Sequence, residues 1–141
     1  MAEVIVRSRN GLTHDVQVGR HALVADEPIE SGGSDLGPNP YELLLAALGS
    51  CTAMTLRLYA TRRQWPLDGV EVRLQHERVH AADCQDCDTQ DRTIDRITKQ
   101  VTLHGDLDAS QRQRLLEISE RCPVQRTLQR GVVIEQRAAE A

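Results

Sequence analysis

Hydrophobic and polar positions alternate over the first 25 residues, which therefore read as β structure. Leu12, His14, Val16 and Val18 alternate with polar neighbours, the period of a half-buried strand. Asn10-Gly11 just before them is a two-residue hairpin signal. Gly19-Arg20 makes a second turn, and His21 to Ala25 returns as a third short strand. Residues 26–38, rich in Asp, Glu, Gly, Ser and Pro, form a loop.

The pattern then changes to a helix predicted from Pro40 to about Arg63. Asn39 is its N-cap, Pro40 suits the first helical position, and Glu42 stands where a capping box needs it. The middle turns are apolar nearly all round, which predicts a buried helix. Val70, Val72 and Leu74 alternate with Glu71, Arg73 and Gln75 in a strand reaching about Val79. Ile97, Lys99, Val101 and Leu103 share one face of another strand, with Arg96, Thr98, Gln100 and Thr102 on the other. Asp108 and Gln111 open a second helix, on which Leu115, Ile118 and Cys122 share a face until Pro123 breaks it. Val132-Val133-Ile134 reads as a last strand. The order is α+β, and 141 residues make a single domain, 1–141.

Composition narrows the function. Two Tyr, one Trp and no Phe leave a core of Leu, Val, Ile and Ala, which favours a homodimer sharing that core. A net charge of −4, with basic residues spread along the chain and few aromatics, argues against nucleic acid as a partner. Met1 leads straight into a polar, alternating segment rather than a signal peptide. The longest unbroken apolar run, Leu43 to Leu48, is too short to span a bilayer. The expectation is a soluble cytoplasmic protein with no membrane partner. The basic residues are 16 Arg and one Lys, Lys99, a bias read as genome composition.

Four cysteines in such a chain point to catalysis or metal rather than to a disulfide framework. Cys51 lies mid-helix on the face of Leu44, Leu48, Thr55 and Leu58, where it is either a small core residue or a protected thiol. Cys122 precedes Pro123, which excludes it from the α region and suits it to cap a short helix. A thiol aimed at the N–H groups of a helix has a lowered pKa, and Arg121 and Arg126 are near in sequence. The alternative is a buried cysteine at a helix break.

The segment from Gly37 to Leu56, GPNPYELLLAALGSCTAMTL, resembles the signature of the OsmC/Ohr family, and Cys122-Pro-Val-Gln-Arg-Thr-Leu128 resembles its second cysteine motif. The element order matches over residues 3–136. The resemblance implies an OsmC-like fold, with antiparallel sheets packed around a long buried central helix in an intertwined homodimer with active sites at the subunit interface. It also implies a thiol peroxidase acting on organic hydroperoxides in oxidative-stress defence, recycled by a lipoyl-type or other small dithiol, with no cofactor. Residue by residue, Cys51 matches the peroxidatic and Cys122 the resolving cysteine. The rival reading is a non-catalytic relative that binds a small hydrophobic or electrophilic ligand at the dimer interface.

The sequence departs from the hydroperoxide-resistance members in two places, the acid at the start of the helix and the activating Arg, which no motif fixes. Their Asn-Pro-Glu start puts a Glu ten residues before the cysteine, where it holds an Arg that activates the thiol. Here that position is Tyr41, and the acid is Glu42. On an ideal helix Glu42 points about 180° away from Cys51, so its expected role is capping. Arg20, in the N-terminal hairpin region, is the first choice for the activating Arg, with one from the partner subunit as the general expectation. Tyr41, Glu42, Arg20 and Arg126 are thus the auxiliary candidates.

The segment from His80 to Cys87 contains a lone C-x-x-C, Cys84 and Cys87, among Asp83, Asp86 and Asp88. The acids disfavour thiolates, so these cysteines are expected to take no direct part in the peroxide chemistry. Zinc held by His80, Cys84 and Cys87, a loop disulfide, and free thiols all remain open. His76 lies about 13 Å from His80 along an extended strand, too far to serve as the fourth ligand. His14, His21 and His104 read as surface residues.

Overall fold

The computed structural model describes residues 2–80 and 93–140. The C-x-x-C cysteines lie outside the described residues, as do most of the ligands of the candidate zinc site. Contacts gather into two units, one up to Ala46 and one from Ala47 on.

In the first unit, β1 (Val4–Ser8), β2 (His14–Val18) and β3 (His21–Ala25) form an antiparallel meander in the order β1-β2-β3. Val6 faces Val16, and Val16 faces Leu23. The first turn is wider than the Asn10-Gly11 signal predicts. Residues 9–13 connect the strands, because Ser8 pairs with His14 and the Thr13 N–H donates to the Asn10 carbonyl at 3.0 Å. Gly11, at φ 57°, supplies the left-handed step. The extra residues bring Thr13 into the interior, where its hydroxyl donates to Asp26 at 2.8 Å. The buried Asp26 carboxylate also accepts the N–H groups of Glu27, Ser34 and Leu36, and so organises the loop after β3. Burial raises its pKa, but these four donors outweigh it and hold the carboxyl below the usual range.

Helix α1 (Pro40–Arg63) has the predicted bounds. The Glu42 N–H donates to Asn39 Oδ1 at 2.8 Å, and the Asn39 N–H donates to Glu42 Oε1 at 3.0 Å, which closes the capping box. Glu42 is therefore a cap, as its angular position implied. At the other end Gln64 takes φ 56°, the Gln64 N–H donates to Thr61 O, and the Trp65 N–H donates to Ala60 O. That double bond pattern ends the helix in a left-handed turn, and Pro66 prevents its resumption.

Burial of α1 corrects the sequence expectation. Leu48, Gly49, Thr52, Leu56 and Ala60 are buried, a single stripe at helical spacing, whereas Met54 and Leu58 are 64% and 56% exposed. Apolarity on every side does not bury every side when one chain supplies so few large side chains. The 24-residue helix is long and apolar enough to cross a membrane, with a mean hydropathy of 1.4, yet its inner stripe is sealed in the core of its own chain.

In the second unit, β4 (Gly69–His80) and β5 (Thr93–His104) pair antiparallel over their full length. Helix α2 (Ala109–Ser119) starts from the predicted capping box of Asp108 and Gln111, and α3 (Pro123–Arg130) follows. Leu56 and Ala60 of α1 pack with Leu67, Leu107, Leu115 and Ile118, flanked by Tyr59, Trp65, Val70, Val101 and Leu103. The predicted strand at Val132-Val133-Ile134 does not form. Residues 131–140 are irregular, and Val133 and Ile134 are 89% and 86% exposed; among the described residues no strand pairs with them.

Candidate functional site

Two features of the second unit bring its cysteines together. Gly49 lies one turn before Thr52 on the inner stripe of α1. A Cβ there would stand 2.7 Å from Leu74 Cδ1, so the absent side chain is what lets β4 approach the helix. Leu74 pairs with Lys99 in the β4–β5 register, and the close approach therefore carries Lys99 toward α1. The second feature is the break between α2 and α3. Cys122, at φ −60° and ψ 133°, is the N-cap of α3, and its sulfur accepts the Gln125 N–H at 3.4 Å. Pro123 imposes that extended conformation, as the sequence indicated.

Cys122 is fully buried and Cys51 half-buried, and both are free thiols. Cys51 and Thr52, adjacent on α1, both act on the Cys122 thiol and lower its pKa. Burial pushes the Cys122 thiol up, but the Gln125 N–H, the Thr52 hydroxyl, the Cys51 thiol and the charge of Lys99 together hold it below the usual thiol range.

Lys99 is the residue that sequence reasoning missed. Its ammonium donates to Thr52 Oγ1 at 3.1 Å, to the Ser119 carbonyl at 2.8 Å and to Gln125 Oε1 at 2.5 Å. One side chain of β5 thus ties α1, the end of α2 and the start of α3 around the sulfurs. Burial lowers the Lys99 pKa, opposed by the negative charge of Cys122, Glu120 and Cys51. The signal was present in the pattern: the only lysine of the chain sits between Ile97 and Val101 on the inward face of a strand, where a charge requires a partner.

The other candidates are placed as follows. Arg126 is exposed on α3 and meets Cys122 through the backbone, its N–H donating to the Cys122 carbonyl at 3.1 Å. The cation that lowers Cys122 is thus Lys99 of the same chain. Tyr41 is 46% exposed in the first turn of α1, and Arg20 is exposed in the turn between β2 and β3; both belong to the first unit. Among the described residues no group of three His, Cys, Asp or Glu side chains could hold a metal. The arrangement is chemically a dithiol with a built-in cation, suited to closing and reopening a disulfide.

The model of the OsmC-like protein family matches residues 32–137. No curated protein matches the chain in sequence. Among solved structures, the fold is similar to an OsmC-like protein from Mycoplasma pneumoniae, at 17% identity and a TM-score of 0.73, covering 92% of this chain and 87% of that one. It is also similar to an organic hydroperoxide resistance protein OsmC from Legionella pneumophila, at 19% identity and a TM-score of 0.61, covering 88% and 87%. The organic hydroperoxide resistance protein OhrB of Bacillus subtilis matches at 22% identity and a TM-score of 0.58, covering 89% and 88%. At these identities the likeness shows an α+β, OsmC-like fold.

Proposed function

Because this chain belongs to the OsmC-like family, we propose that it is a thiol-dependent peroxidase that reduces organic hydroperoxides through Cys51 and Cys122. The observation that carries the proposal is the cradle in which half-buried Lys99 joins Thr52, the neighbour of Cys51, to Gln125, whose N–H caps the Cys122 sulfur. The names of the Legionella and Bacillus structures, both organic hydroperoxide resistance proteins, support the choice of substrate.

The difference in burial supports the roles: Cys51, the half-buried residue, as the thiol that meets the peroxide, and Cys122, fully buried, as its resolving partner. The Cys51 thiolate attacks the terminal oxygen of ROOH, the O–O bond breaks, and the alkoxide takes a proton and leaves as ROH. Cys51 becomes a sulfenic acid, its sulfur oxidised by two electrons and the peroxide reduced by two. The Cys122 thiolate then attacks the Cys51 sulfur, the S–O bond breaks, and hydroxide leaves as water after protonation. An external dithiol reduces the resulting disulfide by exchange and is itself oxidised to a disulfide.

The test is turnover of cumene hydroperoxide with a dithiol reductant. Cys51→Ser is expected to lower it by more than about 100-fold, the scale on which loss of a nucleophile acts. Absence of turnover in the wild type would overturn the peroxidase and leave the ligand-binding reading.

The functional unit proposed is a homodimer. Ala53, Met54, Arg57, Leu58 and Val70 line an apolar hollow beside the exposed side of α1, and a second copy covering it would bury Met54 and Leu58. Size-exclusion chromatography with light scattering at micromolar concentration is expected to give a dimer, and a monomer would overturn this.

A further inference from the structure

We propose that Lys99 is the resident counter-ion of Cys122, a positioning residue that keeps the resolving sulfur ionised so that it closes on oxidised Cys51. The inference rests on the reading of Cys51 and Cys122 as the redox pair. It concerns the second chemical step, not the attack on peroxide.

The hydrogen-bond inventory is the first support. An ammonium has three protons, and Lys99 places them on Thr52 Oγ1, Ser119 O and Gln125 Oε1. All three acceptors are neutral, and among the described residues Lys99 forms no ion pair with a carboxylate. A half-buried charge so arranged is held in place but not neutralised. The titratable groups acting on it are Cys122, Glu120 and Cys51. Glu120 is exposed and largely screened by water, whereas Cys122 is fully buried. The buried sulfur is thus the anion that can answer the half-buried cation.

Thr52 is the second support. Its hydroxyl has one proton, which it donates to the Leu48 carbonyl at 2.9 Å. Lys99 occupies a lone pair of the same oxygen. Thr52 is thereby fixed between the Leu48 carbonyl and the Lys99 ammonium, and from that position it acts on the Cys122 thiol to lower its pKa. Gln125 is held in the same way, its side chain by Lys99 and its N–H on Cys122. Lys99 therefore supplies charge and also holds the side chain of Gln125, whose N–H donates to the sulfur. Condensation with a sulfenic acid requires a thiolate, so loss of Lys99 slows resolution and leaves Cys51 open to a second peroxide.

The test needs no peroxide and so stands apart from the peroxidase assay. In a chain with Cys51, Cys84 and Cys87 changed to serine, the ultraviolet absorbance of the Cys122 thiolate is titrated with and without Lys99→Met. The midpoint is expected to rise by about one pH unit or more without the lysine. A lower melting temperature with an unmoved midpoint would show Lys99 to be only a tether, and would overturn the proposal. If Lys99→Met does not fold, the same question is put to the native lysine. The chain has a single Lys, so labelled lysine gives one side-chain resonance. Its titration midpoint is expected to fall in Cys122→Ser, which removes the counter-ion, and an unchanged midpoint would overturn the proposal.

Discussion

Cys122→Ser is expected to complete one turnover and then stop. Serine retains the local structure, because its hydroxyl accepts the Gln125 N–H as the Cys122 sulfur does, and serine is a favoured N-cap. The helix and the fold should survive, so a loss is chemical. The first peroxide converts Cys51 to a sulfenic acid as in the wild type. With no thiolate beside it, that acid waits for a second peroxide and passes to sulfinic acid, which the dithiol cannot reduce. Steady turnover should fall by about 100-fold or more, while the first equivalent of alcohol forms at a rate near that of the wild type. Peptide mapping should find the sulfinic acid on Cys51. Sustained turnover, with Cys51 recovered as a thiol, would remove Cys122 from the resolving role.

Leu56→Ala is expected to produce the largest loss of stability from one substitution. Leu56 is wholly buried, one turn beyond Thr52 on the inner stripe of α1, and packs against Leu67, Leu107, Leu115 and Ile118. Removing its terminal carbons from such a site costs about 2–5 kcal/mol, and more of that range applies when the neighbours cannot collapse into the space. Here the cavity is walled by two helices and a paired hairpin, and the flanking rings, Tyr59 and Trp65, are already set edge to face at 5.6 Å between centroids. The melting temperature should fall by roughly 10 °C or more. Leu116→Ala, on the 42% exposed side of α2, is the control and should cost about 1 kcal/mol or less. Equal losses in the two would contradict the placement of the core.

These two sites differ in how much of them the sequence carries. The caps were legible because each is settled within four residues: Asn39 with Glu42, Asp108 with Gln111, and Cys122 with Pro123 and Gln125. The strands were legible from alternation. The reach of α1 was legible, but not which of its sides is buried, because an all-round apolar helix has no preferred face until its neighbours are known. Val132-Val133-Ile134 has the composition of a strand but finds no partner strand among the described residues, and composition does not say where an edge will be. Lys99 was visible as a charge on an apolar face. Its targets were not, because Thr52, Ser119 and Gln125 come from three helices and meet only through the approach that Gly49 permits.

The unequal burial of the two sulfurs has a further consequence once they are joined. A disulfide is opened by attack on one sulfur and departure of the other, and exchange is fastest when the departing thiol has the lower pKa. Here Cys51 is only half-buried, while Cys122 lies sealed among the groups that hold its thiol below the usual range. In the proposed cycle the exchange therefore has a direction: an incoming dithiol is expected to form its mixed disulfide on Cys51, with the buried Cys122 thiolate as the leaving group, released beside Gln125, Thr52 and Lys99.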